Sequence, residues 1–443
     1  MKLTSGAKII IEKLNSYGYE AYIVGGYVRD FLLGKNGGDV DITTSATPEQ
    51  MLEAFSDFKV YLTGLKHGTI TVNADGEMIE VTTYRVDGNY LDNRHPTGVK
   101  FVKSLAEDLK RRDFTINAMA YDGNNLVDLF GGQEDIKNNL IKAVGDPDVR
   151  FREDALRILR ALRFSSVLDF DIEKNTALAI KRNAHLLKNV SVERVFTEFN
   201  KMLLGKGVER VLMNFKEVIF EVIPELKAGD GLSQKSKFHA FDVYEHIVKS
   251  VALSKPLKTS RWALLFHDVD KPSCYSEDEE GVGHFFGHQQ KSANMAVKIL
   301  KRLKADNNLI SDCYSLIYLH DHKTELTRGE VKKLLYKYGV SIIEKLIEVK
   351  IGDALAHAAP YDQIRMDAIV EFEKTVKDII KNGECFTLKN LKINGNDLKE
   401  LGFSGKDIKQ KLISLLYDVM YDKVENDKEK LIERVKNDRS FRK

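Results

Sequence analysis

The sequence predicts an α+β protein in which a mixed sheet with helices comes first and an all-helical body follows. Short β-rich runs alternate with short helical patterns from about residue 20 to 122. From about residue 150 onward, apolar residues recur with the 3.6-residue period of helices and almost no strand signal remains. Only seven prolines interrupt the 443 residues, so we expect the domains to abut without long linkers.

The elements and their composition suggest four domains. Candidate strands are Ala21–Val24, Val40–Thr44, Phe58–Leu62, Thr69–Val72, Met78–Thr83 and Thr115–Tyr121. The predicted domains are a head at 1–145, a helical neck at 146–230, a histidine-rich helical domain at 231–380 and a lysine-rich helical tail at 381–443. Eight of the eleven histidines lie between His239 and His357, which defines the third domain.

Composition narrows the class of protein. A hydrophobic content of 43% excludes wholesale disorder. Cys274, Cys313 and Cys385 are far apart in the chain, which excludes a cysteine-based zinc site and favours a reducing, cytoplasmic location. No run approaches about 18 apolar residues, so we expect no membrane span. The net charge is only +2, so affinity for nucleic acid would depend on local basic patches.

The stretch Gly25–Asp30 and the pair Asp39 and Asp41 predict a site for phosphate and metal. Two glycines between a strand and a helix let the backbone approach a phosphate, and a helix N-terminus favours an anion. On a strand, residues i and i+2 point to the same face, so the two carboxylates would repel each other without a cation. Carboxylates combined with substrate phosphates favour Mg²⁺. The pattern predicts nucleotidyl transfer, the attack of a hydroxyl on an α-phosphorus.

A second pattern, Glu153 to Arg163, predicts base recognition. We expect a helix whose exposed side carries Asp154 and Arg157 as neighbours three residues apart. A carboxylate that accepts from an amino group, beside a guanidinium that donates to a ring nitrogen, fits cytosine and adenine and rejects guanine and uracil. A surface ion pair of little energetic consequence is the alternative. Arg160 and Arg163 continue the series, but each step of three rotates the stripe, so we expect it not to serve a single point.

Taken together, the motifs resemble those of the class II tRNA nucleotidyltransferases of the bacterial CCA-adding type, within the polymerase β-like superfamily. The resemblance covers about residues 5 to 430. Its motifs occur in the family's order: Gly25–Asp30 with Asp39-Val40-Asp41, then Arg111–Ala118, Glu153-Asp154-x-x-Arg157 and Glu193–Glu198. The resemblance implies a palm-like catalytic head, a nucleotide-templating neck and a tail that binds tRNA.

The resemblance also implies residue roles. Asp39 and Asp41 would be the catalytic ligands of Mg²⁺, and Glu80 is a weaker candidate for a third carboxylate, with an outward-facing strand glutamate as the alternative. The implied nucleotide-binding residues are Gly25, Gly26, Arg29, Arg112, Asp154, Arg157, Arg160 and Arg163. Those implied at the ribose or the loop are Arg111, Asp113, Asn117 and Arg85. The implied partners are the 3′ end of tRNA, CTP and ATP.

One loop favours full CCA addition over addition of CC or A alone, or of poly(A). Family members that add only CC lack part of a flexible loop, whereas Tyr84–Pro96 looks complete. Its glycine, asparagines and charges suit a mobile segment. His95 departs from the arginine that the family commonly has before the proline.

The histidine-rich domain resembles an HD-superfamily phosphohydrolase. His246, His267, Asp268 and Asp353 would be the core ligands of a divalent transition metal. His288 and His320 would be accessory ligands or phosphate-binding groups. Asp270 departs from the glycine usual in HD motifs. The resemblance implies removal of phosphate from 2′,3′-cyclic or 2′-phosphate RNA ends.

Two alternatives remain open in the helical body. The HD-type domain would be the working site of the whole protein if the head were degenerate, although the head motifs are intact. In the tail, Lys406, Lys409 and Lys411 would contact the tRNA backbone, or they form an ordinary solvated helix face.

Overall fold

The structure is a computed structural model that describes residues 3–35, 37–87 and 99–438. It divides into two compact units, Met1–Pro224 and Glu225–Lys443. The four predicted domains are a finer division, and their boundaries stay predictions.

The first unit contains a seven-stranded mixed sheet, which confirms the predicted fold class. The strands of its head are β1 Ala21–Val24, β2 Asp41–Thr44, β3 Lys59–Gly64, β4 Thr69–Ala74, β5 Glu77–Thr83, β6 Arg85–Asp87, β7 Val99–Phe101, β8 Met119–Tyr121 and β9 Leu126–Asp128. The order in the sheet is β3-β4-β5-β2-β1-β8-β9, while β6 and β7 pair separately. Within the described strands of this sheet, β2 and β5 are parallel neighbours and the other neighbours are antiparallel.

The register of three central strands places the chemistry at one end of the sheet. Val24, the last residue of β1, pairs with Asp41, the first residue of β2. Asp41 pairs in turn with Glu80 of β5. The turn that begins at Gly25 therefore starts next to the carboxylates of Asp41 and Glu80.

Two predicted strands are shorter than expected. The strand β2 begins at Asp41, and Asp39 lies before it. The two aspartates are therefore not at positions i and i+2 of one strand, contrary to the prediction. Thr115–Tyr121 is not a single strand, because residues Thr115–Asn117 form a 3₁₀ turn before β8. The Asp113 carboxylate accepts hydrogen bonds from the Phe114 amide and the Asn117 side chain, and such local bonds compete with a strand ladder.

Helices make up most of the remainder of the first unit. They are α1 Ser5–Ser16, α2 Gly26–Leu32, α3 Pro48–Ala54, α4 Leu105–Lys110, α5 Gly132–Lys137, α6 Pro147–Glu153, α7 Leu156–Leu168, α8 Lys174–Asn183, α9 Val192–Leu203, α10 Val208–Asn214 and α11 Lys216–Val222. Two short strands, β10 Leu140–Ile141 and β11 Asp171–Ile172, pair in parallel. The helix expected through Asp154 is broken there, and α7 packs against α9.

The second unit is almost entirely helical, as predicted. Its helices are α12 Val243–Leu253, α13 Lys258–Phe266, α14 His288–Arg302, α15 Asn307–Leu319, α16 Arg328–Tyr338, α17 Val340–Leu355, α18 Tyr361–Lys381, α19 Gly395–Glu400, α20 Gly405–Met420 and α21 Lys428–Asn437. A small hairpin joins β12 Ser276–Glu277 to β13 Gly283–His284. Within the described ranges, no helix combines the length and the apolar character needed to cross a membrane.

One of the three tail lysines is not available for RNA. Lys406 and Lys409 are exposed on α20. Lys411 is buried, and its Nζ lies 2.6 Å from the Asp438 carboxylate. The prediction that Lys411 contacts a tRNA backbone is therefore wrong, because an internal ion pair uses its charge.

Candidate functional site

The first unit holds a polar pocket of about 580 Å³ that gathers nearly all of the residues predicted to bind nucleotide. Six arginines and one lysine face five carboxylates in it, so a triphosphate would meet abundant positive charge. The lining residues are Gly25, Gly26, Arg29, Asp39, Asp41, Arg111, Arg112, Asp113, Asn117, Asp154, Arg157, Arg160, Arg163, Phe164, Glu198 and Lys201. Arg85 is not among them, since it lies on β6 and donates to the His67 carbonyl.

The turn between β1 and α2 requires a glycine at its first position. Gly25 has φ +75°, a backbone conformation that L side chains rarely adopt. A Cβ atom there would lie 3.6 Å from Nη1 of Arg112 and 3.9 Å from Oδ2 of Asp41. The turn thus brings bare backbone beside a cation and a carboxylate of the pocket.

The carboxylates at the end of the sheet are crowded. Burial raises the pKa of Asp41 to about 6, and the neighbouring carboxylates of Glu80 and Asp39 add to the rise, against the opposing charge of Arg112. Asp41 is open to solvent in the pocket, yet the surrounding protein still removes part of its water. Such crowded oxygen ligands fit a hard divalent cation.

The sequence interpretation missed Asp108, which holds the two arginines of the Arg111-Arg112 motif. Its fully buried carboxylate accepts from Arg111 at 2.8 Å and from Arg112 at 3.2 Å. It also accepts from the Thr43 hydroxyl on β2 and from the Arg85 amide. The spacing of three and four residues from Asp108 to the arginines was the available signal.

Asp113 is a second buried carboxylate, and it connects α2 to α7. Its Oδ1 accepts from Asn117, whose own oxygen accepts from Arg29 at 2.8 Å. Its Oδ2 accepts from Arg160 at 2.8 Å. Burial would raise its pKa, but Arg160 and the hydrogen bonds outweigh burial and lower the pKa of Asp113 to about 2.

The proposed base-reading pair is held differently from the prediction. Asp154 lies in the break between α6 and α7, where it accepts from the Leu156 amide at 3.0 Å and from Arg194 at 2.9 Å. Arg157 was expected on an exposed face, but it is only 9% exposed. It donates to Glu153 at 2.7 Å and to the Arg111 carbonyl at 2.9 Å. Both side chains line the pocket in fixed positions.

Arg160 and Arg163 also serve this one pocket, so the expectation of a diverging stripe is wrong. Their long side chains offset the helical rotation, since both reach toward Glu198 of α9, at 4.0 and 2.5 Å. Both guanidiniums also lie over the Phe164 ring, that of Arg163 3.9 Å and that of Arg160 5.3 Å from its centroid. Glu198 and Phe164 were not assigned roles from the sequence.

The second unit brings the predicted histidines and aspartates together. Nε2 of His246 lies 3.0 Å from Oδ1 of Asp353, 3.2 Å from Nε2 of His267 and 3.7 Å from Oδ2 of Asp268. All four residues are buried. They form part of the sets close enough to share a metal ion among the residues that the structure describes.

The other oxygen of Asp268 faces a second set. Nε2 of His288 lies 3.3 Å from Oδ1 of Asp268, and Nε2 of His320 lies 3.8 Å from it. This oxygen is buried without a hydrogen-bond partner. Asp268 therefore presents one oxygen to each of two neighbouring donor sets.

The histidines are oriented as metal ligands are. In His246, His267, His288 and His320, Nδ1 lies 2.6–3.2 Å from a backbone carbonyl oxygen. A hydrogen on Nδ1 leaves the lone pair on Nε2, the atom that points inward. Burial and neighbouring histidines lower the pKa of His320 to about 3, which keeps it neutral. Although burial opposes ionisation, the Lys271 ammonium holds the pKa of Asp268 well below its usual range.

The departure at Asp270 leaves this cluster intact. Asp270 has φ −105°, which any residue adopts, so the turn does not need a glycine. Its amide donates to the Ser292 hydroxyl. Its carboxylate is not among the groups that line the cavity of the cluster.

Comparison with known proteins identifies the family. Family models match for the Poly A polymerase head domain over residues 21–142, for an RNA- and SrmB-binding site of polymerase A over 169–229, and for tRNA nucleotidyltransferase domain 2 over 277–435. The CCA-adding enzyme of Bacillus cytotoxicus is 33% identical over 97% of each chain. That of Anoxybacillus flavithermus is 36% identical over 96% of this chain and 94% of its own.

A solved structure agrees with these relatives. The crystal structure of the Bacillus stearothermophilus CCA-adding enzyme in complex with CTP is similar with a TM-score of 0.67. It is 31% identical, and the match covers 97% of both chains. Relatives above 30% identity thus match over nearly their whole length, and this chain belongs to the family of CCA-adding enzymes.

Proposed function

We propose that the pocket of the first unit transfers C and A nucleotides from CTP and ATP to the 3′ end of tRNA, releasing pyrophosphate. One observation carries this proposal: a single pocket combines the Gly25 turn, the crowded carboxylates and the Asp154–Arg157 pair. The family's name describes the same reaction, and a relative of 31% identity binds CTP.

The residues would divide the work by charge and position. Gly26 and Arg29 would bind the triphosphate, and Arg111 and Arg112, both held by Asp108, would bind near the ribose. Asp154 would accept from the amino group of cytosine or adenine, and Arg157 would donate to the ring nitrogen. Because other protein groups fix both side chains, the template would need no nucleic acid strand.

Asp39 and Asp41 would hold Mg²⁺, and Glu80 lies next to Asp41 in the sheet. Burial is the main cause of the raised pKa of Asp41, and the part that comes from the neighbouring carboxylates of Glu80 and Asp39 supports this assignment, because adjacent negative charges favour a bound cation. When bound, Mg²⁺ supplies positive charge to the α-phosphate and the attacking 3′-oxygen.

The test is to incubate the protein with tRNA that lacks its 3′ CCA and with each NTP, and to weigh the product. Growth by two C and one A supports the proposal, and no growth with any NTP overturns it. Replacing Asp39 or Asp41 by alanine should abolish addition. Asp75→Ala, a change on an exposed turn between β4 and β5, serves as the matched control.

Three finer predictions remain open. The prediction of full CCA addition, rather than CC-only, A-only or poly(A) addition, depends on the loop at residues 84–96. Residues 88–96 of this loop, including His95, lie outside the described residues. The tRNA-binding tail and the cytoplasmic location also stay predictions. The weighed product distinguishes the forms of addition directly.

We further propose that the cluster of the second unit holds a divalent transition metal and hydrolyses phosphate esters at RNA 3′ ends. Several Nε2 lone pairs and carboxylate oxygens converge within 4 Å, which is unfavourable without a cation among them. The Lys271 ammonium, 2.9 Å from Oδ2 of Asp268, partly neutralises one side. The unpartnered Oδ1 of Asp268 has no such compensation.

This second proposal predicts metal binding that depends on the cluster. After dialysis against Mn²⁺, the protein should retain metal and release phosphate from an RNA with a 2′,3′-cyclic end. His246→Gln should lose both properties, whereas His322→Gln, near the cluster but outside it, should keep them. Metal-free protein that never binds Mn²⁺ would overturn the proposal without affecting nucleotide addition.

A further inference from the structure

The mouth of the histidine cavity carries an exposed phenylalanine. Phe286 is 80% exposed, more than any other large hydrophobic side chain in the described part of the chain. It lines the cavity together with Asp268 and His288. Its neighbour Phe285 packs against Tyr275 instead. One of two adjacent rings is thus used for packing, while the other gives up the free energy of burial.

The exposed ring has a fixed orientation. Phe286 stacks on His284 with a centroid distance of 5.3 Å and an angle of 8° between the planes. Nε2 of His284 lies 2.7 Å from the Asp278 carboxylate, which fixes the imidazole. One face of Phe286 is therefore supported and the opposite face is open, which is the form of an aromatic stacking platform.

The interior of the same cavity is polar and charged. Lys271 and Arg365 line it, and Nη1 of Arg365 lies 3.5 Å from the Asp353 carboxylate. Arg365 is also 40% exposed, so part of its guanidinium can reach a ligand. A ligand that fits both ends has a flat ring at one end and an anionic group at the other.

We propose that this cavity binds a nucleoside phosphate, with the base stacked on Phe286 and the phosphate directed toward Arg365 and the histidine cluster. This inference rests on the proposed phosphohydrolase function and names the part of the substrate that it recognises. Stacking accepts every base, because each has a π-face, so the platform selects for a nucleotide without selecting the base. A protein partner that docks on Phe286 would need an extended apolar surface around this residue, whereas the cavity offers one flat ring beside charged side chains.

Binding of two small probes to the metal-free full-length protein tests the proposal. AMP carries a base and a phosphate, whereas ribose 5-phosphate carries only the phosphate and sugar. Calorimetry should show AMP binding about fivefold or more tightly, which is the lower end of the stacking contribution. All of these measurements are made in the Asp154→Ala background, so that base recognition by the first unit does not add to the difference between the two probes.

Two substitutions at one position separate stacking from apolar contact. Phe286→Leu keeps an exposed apolar side chain but no flat ring, and it should reduce AMP affinity to that of ribose 5-phosphate. Phe286→Trp should retain or increase AMP affinity. Neither should alter the affinity for ribose 5-phosphate, and Arg365→Ala should weaken both probes.

The outcomes distinguish this inference from the hydrolase proposal. Equal binding of the two probes by the protein that retains Phe286, or unchanged AMP affinity in Phe286→Leu, overturns the platform while the metal site stands. If neither probe shows binding that depends on Arg365, the platform and the phosphate site of the hydrolase both fail. If AMP binding follows Phe286 but no Mn²⁺ is retained, the platform stands and the hydrolase fails.

Discussion

Buried carboxylates set the positions of the cationic side chains in the nucleotide pocket. Asp108 is the central example, because it accepts from two arginines, a threonine of β2 and the backbone at Arg85. Asp108→Asn should therefore reduce nucleotide addition by about tenfold or more and lower the free energy of unfolding by roughly 3 kcal/mol, since two arginines lose a buried partner. Single-turnover addition and urea unfolding measure the two effects. The adjacent exposed residue gives the control Glu107→Gln, and equal behaviour of both variants would contradict the assignment.

Asp113 should make stability depend on pH. Its pKa falls from 3.8 to about 2 on folding, so its contribution is fully present above about pH 4 and is lost as the pH falls toward 2. The change corresponds to roughly 2 kcal/mol at neutral pH. Urea unfolding of Asp113→Asn should show this deficit at pH 7 and a smaller one at pH 3. A deficit that does not change between these two pH values would exclude the ionised carboxylate as its source.

At the residue scale, motifs predicted which side chains meet but not what holds them. The head and neck residues that were given roles from the sequence line one pocket, apart from Arg85 and Glu80. Their partner Asp108 was missed although its spacing to Arg111 and Arg112 was a signal, and Glu198 was missed because it acts through contacts between α9 and α7. The burial of Arg157 was missed for the same reason, since helical spacing alone does not show a neighbouring carbonyl such as that of Arg111.

At the element scale, the β1–α2 turn should be sensitive to any side chain. Gly25→Ala should cost about 1–3 kcal/mol of stability, because φ +75° with ψ −136° is a backbone conformation that is essentially restricted to glycine. It should also raise the KM for CTP, because the methyl group would contact Arg112 and Asp41. Gly76→Ala is the matched control, since Gly76 has φ +79° and nothing within 4 Å of an added Cβ. If Gly76→Ala loses a comparable amount of stability but keeps its KM for CTP, the rise in KM of Gly25→Ala is due to the nucleotide pocket and not to lost stability.

Helix α9 should set the fidelity of the template on α7. Arg194 of α9 holds Asp154 at 2.9 Å, so Arg194→Ala frees the carboxylate to rotate. We expect misincorporation of UTP and GTP relative to CTP to rise about tenfold, the effect of roughly one hydrogen bond. Competition assays with paired nucleotides measure this ratio. Arg182→Ala removes a more exposed ion pair, between Arg182 of α8 and Asp148 of α6, and should leave the ratio unchanged.

The order of elements was more predictable than their ends. The sheet of the head and the helices that follow agree with the periodicity of the sequence, and the family comparison confirms the class. The break at Asp154 and the turn at Thr115 were missed because side chains there bond to the local backbone, and hydrophobic periodicity does not register such bonds.

At the scale of the whole molecule, the two candidate sites draw their residues from different compact units. We therefore expect each ligand to slow hydrogen exchange in its own unit. CTP with Mg²⁺ should protect amides within 1–224, and Mn²⁺, added to the Asp39→Ala variant so that the head site is removed, should protect α12, α13 and α17. At a concentration of 100 Kd a ligand stabilises the state that binds it by about 2.7 kcal/mol, so exchange that requires opening of the site should slow by roughly 100-fold.

Mass spectrometry of peptides after exchange locates the protection. Asp154→Ala should remove only the first effect and His246→Gln only the second. Protection by Mn²⁺ confined to 1–224, or seen in neither unit, would contradict a metal centre in the helical body.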